Sequence, residues 1–276
     1  MLRAMIDRIS RPQVAVPDAL WETTLASMPF LARLTIEEKD RLRALTGQFL
    51  ADKEMAGAAG LELTSEIQVN IAAQACLPVL RLGLDWYQGW RSIVVYPGEF
   101  LVPRSVTDDA GVVHEYTEPI AGEAWDGGPV LISWEDAQRA STENGAAYSV
   151  VIHEFTHKID LLNGDADGVP PFSSSLHAGL EAREWQAALV DAFQRFVAEL
   201  ELVEGDLPHT IDPESSDADP YYAHLPLDAY AAQDEGEFFA VSSEAFFVEP
   251  ERLQKAFPTW YALLAAFFRR DPLAAS

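Results

Sequence analysis

The spacing of apolar residues along the chain predicts mainly helices. Thr35 and Glu38 form a capping-box pattern in front of an apolar stripe, which is typical of a helix packed on a core. Residues 67–80 are almost all apolar, as expected for a buried helix. Two more helices are predicted at 17–28 and 176–201.

Shorter apolar runs bounded by turn residues predict strands at 93–95, 100–102, 112–116 and 130–133. Helices and short strands together indicate an α+β fold that is helix-rich and has a small mixed sheet. No internal repeat or linker divides the chain, so we expect one domain over residues 1–276. Within it we expect a mobile tail at 1–14 and an acidic, proline-bearing loop or insertion at 205–227.

The helical segment 146–162 contains the sequence His153-Glu154-Phe155-Thr156-His157. Helix residues four apart are separated by roughly 6 Å along the axis and about 40° around it, so both imidazoles can reach one metal ion. Glu154 lies about 100° round from His153, which favours a place beside the open coordination position. Two nitrogen ligands, an open position and a carboxylate base make up a zinc hydrolase site.

The alternative is a chance match, which arises in on the order of one chain in a hundred. The apolar setting argues against it, because a glutamate and two histidines in a buried helix are unfavourable without partners. We therefore expect a metal site, with the small sheet beside this helix. Residues 130–133 are predicted to be an edge strand that covers the metal and pairs with substrate. A plain core strand is the other interpretation.

A catalytic zinc ion usually has three protein ligands, so a third is needed. Glu237 and Glu244 lie seven residues apart in a downstream apolar helix, on one face and among phenylalanines. They are candidates for a ligand and for a partner of a histidine N–H, the alternative being two exposed glutamates. Residues 163–168 resemble half of a calcium loop. Ser174 stands where that loop needs a glutamate, so a polar turn is predicted there.

Composition narrows the classes of function. The formal net charge of -25, from 19 basic and 44 acidic residues, argues against binding of nucleic acid or an anionic membrane. No apolar run has the length of a membrane span, and the first residues do not form a signal peptide. Cys76 is the only cysteine, so no internal disulfide is possible and a cytoplasmic location is expected.

From about residue 20 to 269 the chain resembles the Mlc titration factor A family of zinc-dependent peptidases. The resemblance rests on the segments 49–53, 72–78, 96–100, 122–125, 153–160 and 237–241. It implies a zincin-like fold and a gluzincin-type site, in which two histidines and a downstream glutamate bind zinc. It also implies aminopeptidase-like activity and binding of a glucose-responsive transcriptional repressor.

The pattern from Tyr230 to Glu237-Phe238-Phe239-Ala240 is also similar to the catalytic domain of the anthrax toxin lethal factor. This resemblance implies that Glu237 binds the metal and that Tyr230 faces the reacting carbonyl. Val241 stands where the lethal factor pattern has an acid. The carboxylate that supports a ligand histidine is therefore expected to be Asp160 or Glu244.

The sequence thus favours a zinc peptidase, with His153, His157 and Glu237 as ligands, Glu154 as general base and Tyr230 as the oxyanion donor. The main alternative is a regulatory protein that sequesters a transcriptional repressor and in which peptidase activity is secondary. The complete set of ligands and base favours the enzyme. A zinc hydrolase that acts on a non-peptide amide is a third hypothesis.

Overall fold

A computed structural model describes residues 12–107, 113–140, 147–213, 215 and 217–274. Residues 1–11 of the predicted mobile tail at 1–14 lie outside these ranges. Within the rest of that segment, the Val14 amide donates to the Gly47 carbonyl at 2.8 Å. The helices of the described residues are α1 (Asp18–Ser27), α2 (Ile36–Asp52), α3 (Ser65–Cys76), α4 (Trp134–Gln138), α5 (Val150–Asp160), α6 (Ala182–Gly205), α7 (Asp219–Tyr222), α8 (Glu235–Val248), α9 (Pro250–Ala256) and α10 (Pro258–Phe268).

The strands form two separate sheets. They are β1 (Glu54–Gly57), β2 (Ser92–Tyr96), β3 (Phe100–Thr107), β4 (Val113–Ile120), β5 (Gly122–Ala124) and β6 (Val130–Ser133). The larger sheet has the order β1-β2-β6-β5, in which β1, β2 and β6 are parallel and β5 is antiparallel to β6. Strands β3 and β4 pair with each other as an antiparallel hairpin. Helices combined with a small mixed sheet confirm the predicted α+β class.

The prediction of an edge strand at residues 130–133 is wrong. This segment is β6, which pairs with β2 on one side and with β5 on the other, and all four of its residues are buried. Among the described residues the two edge strands are β1 and β5, and β5 is the strand just before β6 in the sequence. Strand β6 is therefore the plain core strand, and β5 is the one beside the site.

Helix α5 lies in the middle of the structure because its apolar residues are packed on several elements. The Phe155 ring contacts the rings of Phe49, Tyr87 and Trp90, with centroids 5.1–5.6 Å apart. Helix α8 packs on another side of α5, and β5 and β6 approach it from the sheet. This packing fixes the helix that carries both histidines.

Other predicted elements differ mainly at their ends. The capping box at Thr35 is present, with hydrogen bonds in both directions between Thr35 and Glu38. The helix predicted at 176–201 begins at Ala182 and ends at Gly205. The acidic segment that follows contains only the four-residue helix α7 among its described residues, and Leu225 and Leu227 are buried. A single domain over residues 1–276 stays a prediction. No helix in the described ranges has the length and apolarity to cross a membrane.

Candidate metal centre

The start of helix α5 is held in place by contacts with two distant segments. The Ser149 hydroxyl accepts from the Ile152 amide as an N-cap and donates to the Gln74 side chain of α3 at 2.9 Å. The Ser149 amide donates to the Glu244 carboxylate of α8 at 2.5 Å. His153 follows one turn later, so the first histidine is placed relative to both α3 and α8.

Three side-chain atoms converge between α5 and α8. The Nε2 atoms of His153 and His157 are 3.1 Å apart. Glu237 Oε2 lies 3.1 Å from His153 Nε2 and 3.3 Å from His157 Nε2. Among the described residues this is the one group of three His, Cys, Asp or Glu side chains with the spacing of metal ligands.

These residues fit a divalent metal ion. Bonds of about 2.1 Å in a tetrahedral arrangement place neighbouring ligand atoms roughly 3.4 Å apart, close to the three observed distances. Two imidazole nitrogens and one carboxylate oxygen are also the ligand set of many catalytic zinc sites, which keep a further position open. The geometry therefore supports a metal site made by His153, His157 and Glu237.

Glu244 orients the first of these histidines. Its Oε1 lies 2.8 Å from His153 Nδ1, so the imidazole donates from Nδ1 and its Nε2 faces His157 and Glu237. Glu244 is 3% exposed. A buried carboxylate on the far nitrogen fixes the tautomer and the ring angle of a metal-binding histidine.

The carboxylates favour positive charge at the centre. Burial alone lowers the pKa of His153, but Glu237 and Glu244 together raise it well above its ordinary value. Burial alone raises the pKa of Glu237, whereas hydrogen bonds with His153 and His157 hold it well below its ordinary range. A site with this charge balance suits a bound cation.

Glu154 and Tyr230 lie beside the three converging atoms. Glu154 is 5% exposed, and its burial raises its pKa to about 7 against the opposing effect of the two histidines. Tyr230 lies on the short 3₁₀ helix Ala229–Ala232 and is 45% exposed. The centroid of its ring is 5.9 Å from the centroid of the His153 ring. Glu154 and Tyr230 line a cavity of about 500 Å³, and the two histidines and Glu237 line the same cavity.

Sequence comparison agrees with this geometry. The family of glucose-regulated metallo-peptidases M90 matches residues 3–269 of the chain. The chain belongs to the M90 metallopeptidase family.

Relatives of the M90 chain that are named Mlc titration factor A match it over most of its length. The protein from Klebsiella pneumoniae is 37% identical over 255 residues, which is 92% of this chain and 87% of the relative. The protein from Salmonella arizonae is 36% identical over 256 residues, 92% of each chain. The protein from an Escherichia coli O127:H6 strain is 37% identical over 265 residues, 96% of this chain and 89% of the relative.

Asp160, one of the two carboxylates expected to support a ligand histidine in this M90 chain, bonds instead to the loop that follows α5. Its Oδ2 accepts from the Gly168 amide at 2.7 Å, and Oδ1 is buried without a hydrogen-bond partner among the described residues. Burial raises the pKa of Asp160 to about 7. Asp160 therefore holds the loop after α5, whereas Glu244 contacts His153.

The cavity of the M90 site is also lined by residues that the sequence motifs did not identify. Tyr148 lies next to the N-cap of α5, and Asp228 accepts from the Tyr230 amide at 2.9 Å, which holds the turn that carries Tyr230. Strand β5 forms a further wall. The glycine-rich stretch before β6 was the available signal for β5. No comparable sequence pattern pointed to Tyr148 or Asp228 as cavity residues.

Proposed function

We propose that this protein is a zinc-dependent peptidase with aminopeptidase-like action. The observation that carries the proposal is the convergence of His153 Nε2, His157 Nε2 and Glu237 Oε2, with the Glu154 carboxylate beside them in one cavity. Membership of a metallopeptidase family supports a metal ion and a peptide substrate. The two nitrogens and one oxygen favour zinc among the common divalent ions.

In the proposed reaction, Glu154, Tyr230 and Glu244 each have a separate role beside the zinc ion. When bound, zinc supplies a Lewis acid and lowers the pKa of water toward 7. Glu154 takes the proton of the attacking water on its carboxylate and then gives it to the leaving amine. Tyr230 donates its hydroxyl hydrogen to the substrate carbonyl oxygen as negative charge develops there. Glu244 holds the His153 ring throughout by accepting from Nδ1.

Strand β5 is the proposed support for the substrate backbone. It is one of the two edge strands of the larger sheet in the described part of the chain, and it lines the same cavity as His153, His157 and Glu237. An extended peptide can add to such an edge through main-chain hydrogen bonds, which depend little on side chains. The cavity volume of about 500 Å³ lies within the range of small-ligand sites and suits the end of a peptide.

The central test is Glu154→Gln. The variant keeps all three ligands, so we expect about one zinc ion per chain by mass spectrometry of the metal. Hydrolysis of amino-acid p-nitroanilides should fall at least 100-fold, because general acid–base catalysis contributes about 10²–10⁴. Glu184→Gln, an exposed residue on α6, is the matched control and should retain full activity. A fully active Glu154→Gln enzyme would refute the assignment of the base.

A second assay addresses the type of peptidase. An aminopeptidase requires a free substrate amino group, so N-acetylation of the p-nitroanilide should abolish turnover. Equal rates on free and acetylated substrates would instead indicate an endopeptidase that uses the same centre.

The second candidate function is regulatory binding. Its support is the name of the relatives, Mlc titration factor A, which connects them with Mlc. For this chain we propose a transcriptional repressor as the corresponding partner, bound without a need for hydrolysis. A pull-down with the Glu154→Gln variant tests it: repressor captured by the inactive variant supports binding as a function of its own, whereas peptidase activity without any capture contradicts it.

A further inference from the structure

Glycine 122 lies where strand β5 touches helix α5. A Cβ atom built on Gly122 would lie 2.5 Å from Glu154 Oε1 and 2.7 Å from Glu154 Cγ. It would also lie 2.7 Å from Cγ2 of Val150, one turn earlier on the helix. Real Cβ contacts essentially never fall below 3.0 Å, so any other residue at this position forces a displacement.

The backbones on both sides of this contact are fixed. Gly122 is paired with Ile132 of β6, which is fully buried between β2 and β5. The Ser133 amide donates to the Ala121 carbonyl at 2.7 Å, which holds the chain just before Gly122. On the other side, Ile152 and Phe155 of α5 are fully buried. What can yield is therefore a side chain, that of Glu154 or that of Val150, and the unbranched glutamate has more freedom to move than the β-branched valine.

Packing places the Glu154 carboxylate. Glu237 and Glu244 are held by contacts with histidines, whereas the Glu154 side chain lies against the backbone of Gly122. The bare backbone at Gly122 therefore limits the rotamers that the Glu154 side chain can adopt. A glutamate has three rotatable bonds, so without such a wall its carboxylate would occupy several positions.

We propose that Gly122 is a positioning residue: its lack of a side chain lets β5 press on Glu154 and hold the carboxylate beside His153, His157 and Glu237. The inference rests on the proposed role of Glu154 as general base. It makes the larger sheet, through strand β5, part of what aligns the base.

The first experiment compares Gly122→Ala with Gly205→Ala, where an added Cβ meets nothing within 4 Å. We expect kcat on an amino-acid p-nitroanilide to fall about 100-fold in Gly122→Ala, the loss that follows a displacement of roughly 1 Å. KM and the zinc dissociation constant, measured with a competing chelator, should stay within twofold because no ligand moves. A raised KM with unchanged kcat would overturn the proposal.

A double-mutant cycle separates positioning from general damage. Glu154→Ala removes both Glu154 atoms that the added Cβ would meet, so adding Gly122→Ala to it should lower the residual kcat less than fivefold, far less than in the wild-type background. Equal losses in both backgrounds would show that Gly122 does not act through Glu154. Val150→Ala relieves the other contact and keeps the test available if Gly122→Ala alone folds poorly. Full recovery of kcat in the Gly122→Ala, Val150→Ala variant would show that Val150 was responsible and would overturn the proposal.

Crystal structures of the zinc-loaded wild-type and Gly122→Ala proteins provide a readout that does not depend on activity. We expect the Glu154 carboxylate to move by more than 1 Å while His153, His157 and Glu237 stay in place. An unmoved Glu154 overturns the positioning role even if the wild-type protein cleaves peptides. A displaced Glu154 in a protein whose wild type cleaves no peptide supports the positioning and rejects the peptidase.

Discussion

Glu244 connects the two helices of the metal centre through one carboxylate. It accepts from the Ser149 amide with one oxygen and contacts His153 Nδ1 with the other. In Glu244→Gln the amide group replaces one of these oxygens and places N–H against another donor. We expect the affinity for zinc to fall about 10–100-fold, the usual effect of removing a partner of a ligand histidine.

A chromophoric chelator measures that change by competition. Glu184→Gln should bind zinc as the wild type does. A Glu244→Gln protein whose zinc affinity lies within twofold of the wild type would contradict the orienting role.

The acidic residues of the site could be predicted from the sequence, but the contacts that each of them makes could not. Seven-residue spacing placed Glu237 and Glu244 on one helix face, and both do face α5. It could not choose between Asp160 and Glu244 as the partner of a histidine. Asp160 is near His157 in the sequence, but its carboxylate turns to the Gly168 amide, whereas Glu244 reaches His153 across 91 residues. That choice depends on how two helices pack.

The N-terminus of helix α8 is set by a close backbone contact. A Cβ atom on Gly236 would lie 2.3 Å from the Ala166 carbonyl oxygen in the loop after α5. In Gly236→Ala the helix must move away from this loop and take Glu237, the next residue, with it. We expect zinc affinity to fall at least 10-fold, since a ligand is displaced.

Isothermal titration with zinc would measure the loss, with Gly205→Ala as the control that has room for its methyl group. An unchanged affinity in a folded Gly236→Ala protein would show that α8 tolerates the shift and that this contact does not place Glu237.

Strand positions show where prediction from local pattern ends. Residues 130–133 were recognisable as a strand because a short apolar run is bounded by turns. Their full burial could also have been inferred, since Val130, Leu131 and Ile132 are consecutive apolar residues, which is typical of a central strand. The three-residue strand β5 has a weak pattern of its own, so its position at the edge depends on pairing with β6.

For the molecule as a whole, the fold class followed from the element pattern, whereas the assembly of the centre did not. Gln74 of α3, Ser149 at the start of α5 and Glu244 of α8 are joined by hydrogen bonds across 75 and 95 residues. Such contacts leave no local signal in one sequence. The positions of the proposed metal ligands therefore depend on the packing of the whole fold. Treatments that loosen packing far from the site should also lower the affinity for the metal ion.

His177 shows how distant segments are held together, and it predicts how stability depends on pH. Its Nδ1 accepts from the Ser173 amide at 3.1 Å and its Nε2 donates to the Phe267 carbonyl at 3.0 Å, an arrangement that only neutral imidazole satisfies. Burial lowers its pKa, with Arg269 adding to this effect and the Phe267 contact opposing it. The folded state thus binds fewer protons at His177 than the unfolded state does.

Stability from His177 should therefore be complete above the ordinary histidine pKa of about 6.5 and decrease as pH falls through that value toward the lower folded-state pKa. We expect the free energy of unfolding in urea to decrease more between pH 7.5 and pH 5.5 in the wild type than in His177→Gln, which cannot take up this proton. His209→Gln, at an exposed position, should follow the wild type. The same pH dependence in all three proteins would mean that His177 does not contribute to the loss of stability at low pH.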